Sequence, residues 1–398
     1  MDITIYPRKL SGTISAIPSK SQAHRILICA AFADAPVNIL CTETNQDIEN
    51  TAGCLRSLGA DIARTEQGYY VQPIRSIPSS AQLDCGESGS TLRFMLPVCA
   101  SLGVDTVFHM AGRLPQRPLS PLWEEMERMG VSLTRPTETT IRSQGRLNSG
   151  TYYIDGSVSS QFITGLLFAL ALLPGENQLI VTGNIESRPY IQMTEDVLHL
   201  FGIETKQYRF YDEPIMRSPG TVTVEGDWSN GAFFLGAQAL GNDIQISGLN
   251  ADSSQGDKQA APLMKALSEC ISVDGRDIPD LIPILAVVAG AKKGASFHNI
   301  GRLRLKESDR IDSVAAMLKA LGADVESGQD YLTVSPAKYT GGIIDSKNDH
   351  RIAMSAAIAS TVADGPVTIL GADCVAKSYP GFWSEFTKLG GYYEQYTG

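Results

Sequence analysis

The stretch IPSKSQAHRILICAAFADA, residues 17–35, decides how the chain folds. A strand-like run leads through Pro-Ser-Lys-Ser into a helical segment. Its first turn carries Ser19, Lys20, Ser21, Gln22, His24 and Arg25, and the rest is almost all Ala, Ile, Leu and Phe. A helix that apolar belongs inside a protein. Its polar start needs another reason. A helix N-terminus presents free N–H groups and the positive end of the dipole, so it favours carboxylates over cations. Lys and Arg fit there when an anion sits between them and the N–H groups.

The same pattern recurs along the chain as ESGSTLRFMLPVCASLG, SVSSQFITGLLFALALLPG, GDWSNGAFFLGAQALG, IPDLIPILAVVAGAKKG and NDHRIAMSAAIASTVADG. Each copy is followed by a short strand, a loop and an amphipathic helix. Those second helices end near LRSLGADI, MERMGVSL, LHLFGIET, MKALSECI, LKALGADV and FTKLGGYY. Gly closes five of the six, a helix C-terminal signal, and the β-like run after it predicts the next strand. Six copies in 398 residues give a unit of about 65. Alternating helices and strands predict an α/β (α+β) fold, with the first helix of each unit inside and the second outside. Six units exceed one core, so two similar lobes of three units each are expected. The break falls near residue 226, giving one lobe of residues 1–18 with 227–398 and another of residues 19–226. The N-terminal strand has no unit before it and is expected to complete the far lobe.

Hydrophobic residues make up 43% and charged residues 19%, which supports large cores and argues against disorder. The net charge of −10 excludes a general binder of nucleic acid or membrane surfaces, which needs a basic face. Anions must then be held by a local cluster of cations. Seven cysteines without CxxC spacing suit a reducing compartment. Met1 runs straight into the alternating DITIY, and the longest apolar runs, FITGLLFALALL and LIPILAVVAGA, are about a dozen residues, too short to span a bilayer. A cytoplasmic protein is expected.

Polar residues gather in the first turns of the inner helices: Lys20, Ser21 and Arg25; Ser88, Gly89, Ser90, Thr91 and Arg93; Ser159, Ser160 and Gln161; Asp280; and Asp349, His350 and Arg351. Loops before the outer helices add Arg113, Arg117, Ser187, Arg188, Arg302, Arg304, Lys306, Arg310 and Lys377. With three inner helices side by side in each lobe, these N-termini would converge on a cleft between the lobes, a setting for phosphates. Each residue also has a plainer reading. Ser and Thr at helix starts are commonly caps, and Asp280 before an apolar helix reads as one too. His350 with Arg351 reads as a surface pair, Glu307 and Asp309 as local partners of Lys306 and Arg310, and Arg8, Arg135 and Lys338 as solvated. Caps need no cations, however, and the cations recur at equivalent places. There is no GxxxxGK[ST] loop, no clean GxGxxG after a strand, no paired His/Cys metal spacing, and GLNADSSQGD lacks the terminal Glu of a calcium loop.

The segments SKSQAHR, SGSTLR, RLPQRPLSPL, GSVSSQF, SRPY, GDWSN, IPD, LKESDR, NDHR and CVAKSYPGF, in that order along nearly the whole chain, resemble the motifs of the 5-enolpyruvylshikimate-3-phosphate (EPSP) synthase family of enolpyruvyl transferases. The resemblance implies two lobes of three βαβαββ units, with the N-terminal strand in the C-terminal lobe. It implies transfer of the enolpyruvyl group of phosphoenolpyruvate to the 5-hydroxyl of shikimate 3-phosphate, with release of phosphate. Addition and elimination through a tetrahedral intermediate follow, without metal or organic cofactor. By motif match, Asp280, Glu307, Lys306 and Lys20 resemble the acid–base residues. Lys20, Gly89, Arg117, Gln161, Arg310, Arg351 and Lys377 resemble the phosphoenolpyruvate site. Lys20, Ser21, Arg25, Ser159, Ser160, Gln161, Ser187, Asp280 and Lys306 resemble the shikimate 3-phosphate site, with Tyr190 nearby. Bidentate Arg suits phosphate and carboxylate, and a working monomer is expected.

Two positions depart from the motifs. Glu87 and Arg302 stand where Asn is expected, which takes Glu87 out of the ligand set and puts the Arg302 contact in question. Gly89 leaves room beside the clamp, so inhibition by glyphosate is expected. The sister transferases acting on UDP-N-acetylglucosamine carry a Cys in the loop equivalent to RLPQRPLSP, which has none here. A non-catalytic phospho-ligand binder would not need Asp280 or Glu307, and a structural repeat protein would not need the cations.

Overall fold

A computed structural model describes residues 1–211 and 215–396, and the chain divides into two units. One is Pro18–Val224; the other is Met1–Ile17 together with Glu225–Gly398, and each has its own apolar core. The unit Pro18–Val224 holds helices α1 (Lys20–Ala31), α2 (Gln46–Ser57), α3 (Gly89–Leu102), α4 (Leu122–Arg128), α5 (Ser160–Leu170) and α6 (Arg188–Leu200). The other unit holds α7 (Trp228–Ala239), α8 (Ala260–Ala266), α9 (Ile282–Gly290), α10 (Arg310–Ala320), α11 (His350–Ser360) and α12 (Phe382–Lys388).

Odd-numbered helices form the interior. Every residue of α9 and α11 is buried, as is α3 from Thr91 to Ser101 and α1 from Ala23 to Ala31. Even-numbered helices cover the outside through a single stripe. In α2 that stripe is Ile48, Thr51, Ala52 and Leu55, the i, i+3, i+4, i+7 spacing of an amphipathic helix. The glycines that close α2, α4, α6, α10 and α12 have left-handed φ from 78° at Gly202 to 104° at Gly130, a geometry that an L side chain strains. At Gly165 the need is close approach: a Cβ there would run into the Arg93 carbonyl of α3.

Two sheets share one pairing scheme, in which a strand runs parallel to the next across the inner helix and that strand pairs antiparallel with a hairpin. In Pro18–Val224 this orders Ser80–Asp84, Asp105–His109, Thr140–Gly145 and Val131–Thr137. A further sheet of this unit has the same pairings, but its parallel edge strand, Thr221–Thr223, comes from the end of the unit and lies beside Val37–Leu40, followed by Gly68–Gln72 and Asp61–Thr65. In the other unit the shared scheme orders Ile271–Asp274, Ala295–His298, Tyr331–Val334 and Val325–Ser327. The first strand, Asp2–Tyr6, lies between Val367–Leu370 and Tyr392–Tyr396, with Ile3 opposite Ile369 and Gln395. Such an arrangement leaves the helix N-termini at one end of each βαβ unit, where the polar residues are. Six cysteines are buried as free thiols and Cys270 is exposed. Among the described residues no helix is long and apolar enough to cross a membrane, and no group of three or more His, Cys, Asp or Glu could hold a metal ion.

Candidate active site

In the unit that contains the C-terminal half, the site is built on the starts of α9, α10 and α11. Asp309 caps α10 by accepting from the Asp312 N–H, and Asp349 caps α11 by accepting from the Arg351 N–H. These caps fix Arg310, the first residue of α10, and Arg351, the second of α11, whose side chains turn to a shared target. Arg310 donates through Nη1 to Asp280 Oδ1 at 2.7 Å, and Arg351 donates through Nη2 to Asp280 Oδ2 at 3.0 Å. Arg310 also donates to Glu307 Oε2 at 2.6 Å and from Nε to Asp349 Oδ2 at 2.8 Å. Lys306 Nζ lies 3.9 Å from Asp280 Oδ1. Lys377 donates to the Asn348 carbonyl at 2.8 Å, just ahead of the α11 cap.

This corrects two of the plainer readings and part of a third, since Glu307 does pair locally with Arg310. Asp280 does not cap α9: the cap position is Leu281, and the Asp280 carboxylate is taken by Arg310 and Arg351. His350 and Arg351 are not a surface pair, since both are buried. Asp309 pairs with Arg304 at 2.7 Å, leaving Arg310 to Glu307, Asp280 and Asp349. Arg304 also donates to the carbonyls of Gln329 and Gly328, and so ties the turn Gly301–Leu305 to the next hairpin and sets the loop that presents Lys306 and Glu307.

The electrostatics follow from these distances. Burial pushes the Asp280 carboxyl up, but Arg351, Lys306 and Arg310 outweigh it and hold Asp280 well below the ordinary carboxylate range. Asp349 is likewise raised by burial and brought below its ordinary value by Arg310. Partial burial, with Arg310 and Arg302 against the opposing pull of Asp280, lowers Lys306 to about 8. At neutral pH Asp280 is therefore an anion, and Lys306 is a cation whose proton is unusually easy to remove.

The unit Pro18–Val224 gathers its own polar set at α1, α3, α5 and α6. Ser19, Ser88 and Ser159 cap α1, α3 and α5, so for Ser159 the cap and the candidate ligand are the same residue. Lys20 donates to Asp47 at 2.9 Å. Arg25, buried, donates to the Ser21 carbonyl at 2.7 Å, Thr194 Oγ1 at 2.9 Å and the Tyr190 carbonyl at 2.8 Å. Its guanidinium also stands over the Phe94 ring. Every one of these partners is neutral, and burial lowers Arg25 to about 10. Gln161 accepts from Arg93 Nη1 at 2.7 Å and donates to Ser90 Oγ at 2.9 Å, joining α5 to the first turn of α3. Gly89 lies against two guanidiniums, for a Cβ there would sit 2.6 Å from Arg117 Nη1 and 2.8 Å from Arg93 Nη1. Ser160 is buried beside Gln161 at the start of α5. Ser187 opens α6 with φ 52°, a left-handed conformation rare outside Gly and a mark of functional sites. The Glu87 carboxylate rests against Gly112, and Arg302 stays half-buried in the turn before Lys306.

Within each unit, then, the structure brings the motif residues together. Asp47, the partner of Lys20, had no signal in the sequence beyond being an acid in the first turn of an outer helix. Asp349 was visible only as a helix-start acid, and its grip on Arg310 depends on a contact between residues far apart in sequence.

Two βαβ-repeat units, with cations and carboxylates at their inner helix starts, define the enolpyruvyl transferase class. The solved structure of an EPSP synthase from Acinetobacter baumannii matches with a TM-score of 0.80 at 21% identity, covering 99% of this chain and 100% of that one. The enolpyruvyl transferase NikO from Streptomyces tendae matches with a TM-score of 0.74 at 17% identity, covering 99% and 98%. At those identities the likeness concerns the fold. The EPSP synthase (3-phosphoshikimate 1-carboxyvinyltransferase) family model matches residues 5–272 and 264–386. A 3-phosphoshikimate 1-carboxyvinyltransferase from Clostridium novyi is 36% identical, covering 100% of this chain and 99% of its own, and one from Clostridium perfringens is 37% identical over 98% of each. The chain belongs to the EPSP synthase family.

Proposed function

We propose that this chain transfers the enolpyruvyl group of phosphoenolpyruvate to the 5-hydroxyl of shikimate 3-phosphate and releases inorganic phosphate. The observation that carries this reading is Asp280, held anionic between Arg310, Arg351 and Lys306. Asp280 accepts the hydroxyl proton as the 5-oxygen bonds to C2 of phosphoenolpyruvate. The methylene C3 takes a proton from the Lys306–Glu307 pair, giving a tetrahedral ketal phosphate. Elimination returns a proton from C3 to that pair, re-forms the C2=C3 double bond and breaks the bond from C2 to the phosphate oxygen, so that phosphate leaves and the ether bond to the 5-oxygen stays. Arg310, Arg351, Lys377, Lys20 and Arg117, with Gly89 and Gln161, hold phosphoenolpyruvate. Lys20, Ser21, Arg25, Ser159, Ser160, Gln161, Ser187, Asp280 and Lys306 hold shikimate 3-phosphate. One chain carries every assigned residue, so a monomer suffices.

Purified protein given phosphoenolpyruvate should release phosphate with shikimate 3-phosphate and not with UDP-N-acetylglucosamine. Release with the nucleotide sugar instead would overturn the acceptor assignment.

Lys306 sets the alkaline limb. A lysine at about 8 loses its charge as pH rises through that value, so kcat/KM should fall above pH 8. Lys306→Arg keeps the charge and should move that limb upward while lowering kcat, as a pH–rate series would read. A limb that stays in place excludes Lys306 as its source.

Gly89→Ala places a methyl against Arg117 and Arg93. The guanidiniums must retreat from the phosphoenolpyruvate position, and KM for phosphoenolpyruvate should rise about tenfold, equivalent to about 1.4 kcal/mol. KM for shikimate 3-phosphate should change little, which initial-rate kinetics with each substrate varied will show.

A further inference from the structure

Beneath the α3 start runs a buried line of polar side chains that the assigned chemistry does not use. His24 of α1, Thr51 of α2, and Thr91 and Ser88 at the start of α3 are all at most 1% exposed. His24 Nδ1 lies 2.7 Å from Thr51 Oγ1, which lies 2.7 Å from Thr91 Oγ1. Thr51 sits in the otherwise apolar stripe of α2, where an unpaired hydroxyl is costly.

The hydrogens along this line can be assigned by counting donors. Ser88 Oγ accepts from the Thr91 N–H at 3.2 Å as the α3 cap, and from Thr91 Oγ1 at 2.8 Å. The Asp47 carbonyl at 3.4 Å and Thr51 Oγ1 at 2.7 Å are the other acceptors within reach of the Thr91 hydroxyl. The direction of the line is therefore set at its His24 end: a proton on Nδ1 donates to Thr51, Thr51 donates to Thr91 and Thr91 to Ser88. The Nε2 atom of His24 has no hydrogen-bond partner among the described residues, and the Phe94 ring meets the imidazole edge-on. A proton on Nε2 would have no acceptor there and would face the charges of Lys20 and Arg25. Burial and those two cations push the His24 pKa far down, so one neutral tautomer is fixed.

We propose that His24, acting through Thr51 and Thr91, is a positioning residue that sets the first turn of α3 for phosphoenolpyruvate. The line ends on Ser88, next to Gly89 and Ser90, and Ser90 accepts from Gln161. Tilting that turn would move Gly89 and draw Ser90 away from Gln161, while Gln161 itself stays on α5 and the acceptor contacts of α5 and α6 stay in place. The proposal rests on the assignment of Gly89 to phosphoenolpyruvate.

Thr51→Val removes the middle hydroxyl at nearly constant shape. It should raise KM for phosphoenolpyruvate about five- to tenfold, the worth of about one buried hydrogen bond, with kcat and KM for shikimate 3-phosphate nearly unchanged. His24→Leu should do the same. His24→Asn, which keeps a donor near the Nδ1 position, and Thr51→Ser, which keeps the hydroxyl, should retain the wild-type KM. Hydrogen–deuterium exchange supplies a reading independent of turnover: in Thr51→Val the amides of residues 88–92 should exchange faster while later α3 amides keep their protection. Equal rises in both KM values, or unchanged exchange at residues 88–92, would overturn the proposal. Wild-type protein that turns nothing over would instead remove the substrate assignment, and the exchange data would still decide whether the line holds the turn.

Discussion

Asp280→Asn should lower kcat about 10²- to 10⁴-fold, the usual worth of a positioned acid–base group. The amide keeps the shape of the carboxylate, but its one oxygen can accept from only one of Arg310 and Arg351, which donate to separate carboxylate oxygens, and it cannot take the proton of the 5-hydroxyl. A second effect has a definite sign. Asp280 pulls the Lys306 pKa up against burial, so without the carboxylate Lys306 should titrate below about 8. The alkaline limb of kcat/KM should therefore move to lower pH, the reverse of its movement in Lys306→Arg. Steady-state rates across a pH series measure both. A variant keeping a tenth or more of wild-type kcat would show that Asp280 is not the base.

Arg310→Met should be the most destabilising single change at the site. Arg310 is 1% exposed and donates to Asp280, Glu307 and Asp349, the last of which is fully buried. Met fills much of the volume but leaves those carboxylates without their shared cation. Removing one partner of a buried charged group costs roughly 3–5 kcal/mol. The pH dependence identifies the cause. Arg310 holds Asp280 and Asp349 below their unfolded values, so its stabilisation is present above the ordinary carboxylate range and lost as pH falls through the folded values. The stability gap between wild type and Arg310→Met should be widest near pH 7 and narrow only below the ordinary carboxylate range, toward about pH 2. Denaturant unfolding at the two pH values reads this. A gap that does not change with pH would point to lost packing rather than lost charge pairing.

How much of this was legible in the sequence depended on the range of the interaction. The inner helices were visible because Ala, Ile and Leu on every side of a segment such as His350–Ser360 permit only burial. The ends of the outer helices were visible because Gly59, Gly130, Gly202, Gly322 and Gly390 occupy left-handed backbone that few other residues accept. The motif residues were visible as types and positions. Their partners were not. Asp280 before an apolar run looks the same whether it caps that run or meets Arg310 and Arg351, which are 30 and 71 residues further on. Lys20 and Asp47, or His24 and Thr51, lie on different helices, and nothing local pairs them. Nor does the pattern DITIY tell that Ile3 will lie opposite both Ile369 and Gln395.

The most direct test is to run the reaction in D₂O and follow the acceptor and phosphate together by mass spectrometry and NMR. Addition and elimination at C2 predict an enolpyruvyl ether of shikimate 3-phosphate, one phosphate released per ether formed, and deuterium in the vinyl methylene, because C3 passes through a methyl group. Phosphate released without the ether, or an ether whose methylene carries no deuterium, would contradict transfer by this route.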